Sequence, residues 1–110
     1  MSALSQAWLL LLGAGLCEIG WPLGFKLSQT SQYPKLAIAA SIVSIAVSGL
    51  LLWMAQKQIP IGTAYAVWTG IGAAGTFLVG VVWFNDPLTV MRSVGAMMIV
   101  GGVIVMKLAH

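Results

Sequence analysis

Glu18 is one of two acidic residues in a chain of 110, and it falls inside an apolar run from about Ala7 to Leu27. A run of that length is roughly 30 Å long as a helix, which matches the hydrocarbon core of a bilayer. An ionisable group near the middle of such a span costs on the order of 3 kcal/mol or more unless it is neutral or faces a wet cavity lined by protein. The position points to function: a carboxyl that exchanges a proton for something cationic. The competing reading is a neutral glutamic acid that merely hydrogen-bonds another helix. Helical periodicity puts Gly15, Trp21, Pro22 and Phe25 on the Glu18 face. Pro22 cannot donate the backbone bond that would close on the Glu18 carbonyl, so it frees that carbonyl beside the carboxyl and predicts a kink. Gly20 and Gly24 form a small-xxx-small step on roughly the opposite face, suited to close helix contact.

Other polar side chains inside apolar segments are candidates to accompany the carboxyl. Ser41, Ser44 and Ser48 share one face of a second span, either lining a cavity or bonding back to carbonyls of their own helix. A third span contains Tyr65, Trp68, Thr69 and Thr76 among five glycines, which predict bending or close packing. Within it, Gly70 to Gly75 match the letters of a dinucleotide fingerprint, but no strand precedes them and the phosphate-binding context is missing. Trp8, Trp53 and Trp83 fall near helix ends, where indoles form an interfacial belt. Trp21 and Trp68 fall mid-span on the faces of Glu18 and Tyr65, as walls of a slot whose indole N–H groups can orient a carboxylate, or else as bulky core filler. Asp86, in the turn 85–87, reads as an interfacial cap.

These residues must be positioned by membrane helices. Hydrophobic residues make up 60% of the chain, charged residues 6%, and mean hydropathy is +1.01, far from the balance of a soluble domain. Four apolar segments, about 7–27, 35–55, 61–84 and 89–108, predict a single all-α domain of four transmembrane helices over 1–110, with the lipid bilayer as its surroundings. The first span lacks a basic leader and reads as a permanent helix rather than a cleaved signal. Five scattered basic residues give a net charge of +3 without a patch, which argues against nucleic-acid binding. Cys17 is the single cysteine, so no intrachain disulfide forms. No metal cluster, cofactor motif or nucleophile–base pair is visible, Cys17 having no histidine near it and His110 being the only histidine, so an enzyme is not expected.

Charge bias bears on assembly. Lys26, Lys35 and Arg92 flank loops on one side of the membrane, Lys57 and Lys107 lie on the other, and Asp86 erodes even that small difference. Orientation is set by such asymmetry, so this chain is expected to insert both ways. Four helices with one carboxyl are too few to enclose a gated path, and alternating access is usually built from inverted halves. The expectation is an antiparallel, dual-topology homodimer. Gly95 and Gly102, with Val103 beside them, form a fourth-helix seam fit for another helix.

Three stretches resemble the small multidrug resistance transporters, and the resemblance covers the whole chain: Gly15 to Glu18, the string Pro60-Ile-Gly-Thr-Ala-Tyr-Ala-Val-Trp-Thr-Gly70, and Gly95 to Val103. Trp21 three residues after Glu18 and the Thr63 and Thr69 forms of the helix-three string are similar to the guanidinium-exporter branch. The resemblance implies a proton-coupled antiporter in a bacterial inner membrane that exports guanidinium and small substituted guanidinium cations. Proton and substrate would bind Glu18 of each subunit in competition. It also implies a shell of Trp21, Ser48, Tyr65 and Trp68 around Glu18, with Gly15, Pro22, Ser44 and Thr69 as modulators of the pocket. Pro22, where the family usually has a small residue, puts the substrate range in question. A polyspecific exporter of quaternary ammonium compounds and a proton-conducting membrane subunit are the alternatives.

Overall fold

Ser2 opens the first helix, its hydroxyl accepting from the Ser5 amide at 3.1 Å and satisfying one of the free N–H groups of the helix start. In the computed structural model, which describes residues 2–109, this helix α1 runs Ala3–Thr30 and continues through Pro22 without interruption. Its 28 residues span about 42 Å, longer than a bilayer core, so α1 must tilt or carry its ends into the headgroup layers. A three-residue turn follows. Pro34 then opens α2 (Pro34–Ala55), where a missing N–H leaves nothing unsatisfied. Helix α3 spans Ile61–Trp83 and α4 spans Val90–Ala109. All four are long and apolar enough to cross a membrane. His110 lies outside the described residues.

The turn between α3 and α4 departs from the sequence reading. Thr89 performs the capping of α4, its hydroxyl accepting from the Arg92 amide at 3.1 Å. Asp86 instead folds back over α3. Asn85 takes the left-handed conformation (φ 57°), and the Asp86 amide donates to the Gly80 carbonyl at 3.0 Å.

Helix α1 packs against both α2 and α3, and α4 is attached through α3. The most tightly packed region lies at the amino-terminal end of α1, where Ala7, Trp8 and Leu11 meet Ala55, Ile59, Ala64 and Val67. Trp8, read as a belt residue at the helix end, is packed inside the chain there and not left exposed. It is only 7% exposed, and the Lys107 ammonium lies 4.7 Å from its ring centroid. The cause is that α1 begins at Ala3, placing Trp8 more than a turn inside the helix under the α2–α3 connection. Trp53 and Trp83, 59% and 72% exposed, remain free to meet an interface.

Small residues set how closely the helices approach. Gly20 faces Ser44, and Gly24 faces Ser41, as the small-xxx-small step predicts. The serine stripe does not bond back to its own helix. Ser41 donates to the Trp21 carbonyl at 2.9 Å and Ser48 to the Ala14 carbonyl at 2.8 Å. Two hydroxyls seven residues apart on α2 thus meet two carbonyls seven apart on α1, which locks an antiparallel register. The glycines of α3 serve contact as well. Gly70 receives Val103 of α4, Gly72 receives Glu18, and Gly75 receives Ile19. Of the expected α4 seam, Gly95 and Gly102 face open space, whereas Val103 is taken up inside the chain.

Gly24→Ala should destabilise the α1–α2 pair by about 1–3 kcal/mol, because its Cβ would meet the Ser41 hydroxyl and, at 2.9 Å, the unyielding Ala37 carbonyl. Gly13→Ala, whose Cβ finds only Leu51 Cδ1 at 3.5 Å, is the matched control and should be near neutral. Unfolding of the detergent-solubilised protein by SDS titration measures both.

Candidate functional site

Glu18 is half-buried where α1 meets α3, its Cβ and Cγ lying over the bare Cα of Gly72. Any side chain at position 72 would occupy the same space. Gly72 follows Trp68 by four residues, so both project from one face of α3 toward α1 and α2. The Trp68 indole N–H donates to Ser48 Oγ at 2.8 Å. Ser48 in turn is fully buried, with Glu18 Oε1 at 3.4 Å and the Ala14 carbonyl at 2.8 Å. The Trp68 indole therefore reaches the carboxyl through a serine rather than directly in this structure.

A hydroxyl carries one proton, so Ser48 cannot donate fully to both acceptors. The shorter bond to Ala14 takes it in this structure, and the Trp68 donation holds the oxygen in place for either choice. Turning that proton toward Glu18 would favour the ionised carboxyl, since hydrogen bonds to a charged acceptor are the stronger kind. Three helices thus converge on one carboxyl, with a donor whose direction is free to respond to charge.

The remaining predicted shell lies outside this network. Tyr65 is 55% exposed and packs its ring on Trp68 at 5.5 Å between centroids, extending an aromatic wall outward. Trp21 is half-buried and meets Phe25 edge-on at 5.7 Å, while its carbonyl accepts from Ser41. Of the expected modulators, Gly15 is buried against Ile71 and the half-buried Ser44 faces Gly20, both in helix contacts. Thr69 donates to the Tyr65 carbonyl of its own helix at 2.6 Å. Pro22 lines a separate cavity between α1 and α3. Two participants escaped the sequence reading. Gly72 was legible in its spacing from Trp68, whereas the Ala14 carbonyl, a backbone atom, left no sequence signal.

Comparison with known proteins follows the same outline. The family model described as Small Multidrug Resistance protein matches residues 6–99. A guanidinium exporter of Yersinia pseudotuberculosis is 42% identical over 104 residues, covering 94% of this chain and 99% of the relative. A guanidinium exporter of Proteus vulgaris is 43% identical over 107 residues, covering 94% and 99%, and one of Salmonella typhimurium is 42% identical over 107 residues, covering 94% and 98%.

The Trp68–Ser48 bond should appear as coupling in a double-mutant cycle. Ser48→Ala strands a half-buried indole N–H, whereas Trp68→Phe removes that donor, so the double variant should lose less stability than the sum by about 0.5–3 kcal/mol. Equal additivity in SDS unfolding would show that the bond contributes nothing.

Proposed function

Because this chain belongs to the small multidrug resistance family, we propose that it exports guanidinium and small substituted guanidinium ions in exchange for protons, with Glu18 binding either the proton or the cation. It is a multi-pass membrane protein, and its place in this reading is the inner membrane of a bacterium. The observation that supports Glu18 as the exchanging group is its position: a carboxyl within a membrane-spanning helix, beside a buried serine that an indole holds in place. Guanidinium is planar, and its paired N–H donors match a carboxylate bidentately. The aromatic wall of Trp68 and Tyr65 suits its faces. When the cation leaves, a proton neutralises Glu18, and the Ser48 hydroxyl is free to return to the Ala14 carbonyl. One carboxylate that cannot hold both ligands at once couples their opposite movements.

The transporting unit in this reading is an antiparallel homodimer. Support comes from three features of the single chain. Tyr65 is exposed on the outer side of Trp68 and Glu18 is only half-buried, so one chain supplies an open half-site. Gly95 and Gly102 of α4 face open space, where a second helix can approach closely. The basic residues are almost evenly divided between the two sides of the membrane, which allows insertion in both orientations.

Guanidinium and a singly alkylated guanidinium should drive currents from purified protein on a solid-supported membrane, and Glu18→Gln should abolish them while eluting as a folded dimer. Full transport by that variant would sink the reading, and equal currents from tetrapropylammonium would move the protein to the polyspecific class. Labelling of a carboxy-terminal tag in native membranes should reach comparable fractions from the two sides. A tag found on one side alone would refute dual topology.

A further inference from the structure

The carboxyl-terminal halves of α1 and α3 part to leave a cavity of about 240 Å³, walled by Ile19, Pro22, Leu23, Val79 and Phe84. Lys26 and Asp86 line the same cavity, with Thr76 as its hydroxyl. Neither charge is engaged as three of the chain's other basic side chains are. Lys57, Arg92 and Lys107 rest on the rings of Trp53, Phe77 and Trp8. Lys26 stacks on no ring among the described residues, and no ion pair joins it to Asp86. Asp86 is not spent on capping α4, which Thr89 performs.

Asp86 is nonetheless held in position. The left-handed Asn85 turns the chain back, the Asp86 amide donates to the Gly80 carbonyl, and the carboxylate settles into the notch that Gly80 leaves. A Cβ at position 80 would strike the carboxylate oxygen Oδ2. Lys26 stands one turn before the end of α1, and Asp86 stands just beyond α3, so both lie at the same end of membrane-spanning helices, where charged side chains meet lipid headgroups. An ammonium and a carboxylate at the rim of one apolar cavity, not neutralising each other, call for an amphiphile that carries both signs.

We propose that this cavity binds a phospholipid with a zwitterionic primary-ammonium headgroup, a phosphoethanolamine lipid. Lys26 takes the phosphate, Asp86 accepts hydrogen bonds from the ammonium, and an acyl chain lies along the apolar wall between α1 and α3. A choline headgroup has no N–H to donate, so Asp86 separates ethanolamine from choline. An anionic glycerol headgroup offers Lys26 its phosphate but leaves Asp86 without a cation. Ile19 both lines this cavity and fills the notch of Gly75, so a bound acyl chain bears on the α1–α3 contact next to Glu18. The site does not depend on which cation the protein carries.

Intact-protein mass spectrometry of the purified full chain, titrated with ethanolamine, choline and glycerol phospholipids of identical acyl chains, tests the proposal. The wild type should retain the ethanolamine lipid about tenfold more tightly than the choline lipid, the ratio expected from one charge-assisted hydrogen bond. Asp86→Asn should bring the two to parity, and Lys26→Gln should weaken both alike while preserving their ratio. Gly80→Ala keeps both charges but displaces the carboxylate, and it should lose the preference as Asp86→Asn does, so the result does not hang on the folding of one variant. Parity in the wild type, or a preference that survives both Asp86→Asn and Gly80→Ala, would overturn the site. Tightest binding of the glycerol lipid would overturn it in favour of a plain anion site at Lys26. Displacement of the ethanolamine lipid by guanidinium chloride, lost in Asp86→Asn, would overturn it in favour of a cation vestibule.

Discussion

A carboxyl set in a membrane-spanning helix is tolerable only where protein supplies what water would otherwise supply. Glu18 meets that condition through Ser48, whose oxygen is held by the Trp68 indole and whose single proton has two acceptors within reach, the Ala14 carbonyl and the carboxyl itself. The packing of α1 against α2 and α3 brings those atoms together. Ser48 arrives from α2, Trp68 from α3, and the carboxyl from α1, so a shift of any helix by one residue would separate them.

Close approach of the backbones makes this convergence possible. Gly20 and Gly24 admit the serines of α2 to the surface of α1, and Ser41 and Ser48 then bind the Trp21 and Ala14 carbonyls. On the other side Gly72 and Gly75 admit Glu18 and Ile19. Between helices in lipid there is no hydrophobic drive, because acyl chains are as apolar as side chains, so packing of small residues and hydrogen bonds across the contact must hold the bundle. The serines do both, which is why they bond outward to a neighbour and not back to their own helix.

The two ends of α1 have different characters. Toward its amino terminus it is sealed by Trp8 and Leu11 under the α2–α3 connection, with Lys107 of α4 over the indole ring. Toward its carboxyl terminus it diverges from α3, leaving the cavity bounded by Pro22, Lys26 and Asp86. Glu18 sits between the closed end and the open one.

Sequence alone determined the four spans, the place of Glu18 within the first of them, the shared face of the three serines and the Gly20–Gly24 contact step, because run length and helical periodicity are local properties. Tertiary structure alone decided what those faces meet. In a soluble helix the contrast of apolar and polar residues marks the inward side, but here lipid and core are equally apolar, and that contrast is nearly absent. The sequence could therefore not reveal that Trp8 is core while Trp53 and Trp83 are exposed, or that Trp68 reaches Glu18 only through Ser48. Nor could it show that Thr89 displaces Asp86 as the cap of α4 and leaves the Asp86 carboxylate to a glycine notch. Which helix stands opposite each face is a non-local fact, settled by how closely glycines let the backbones approach and by which carbonyls then come within reach of a hydroxyl.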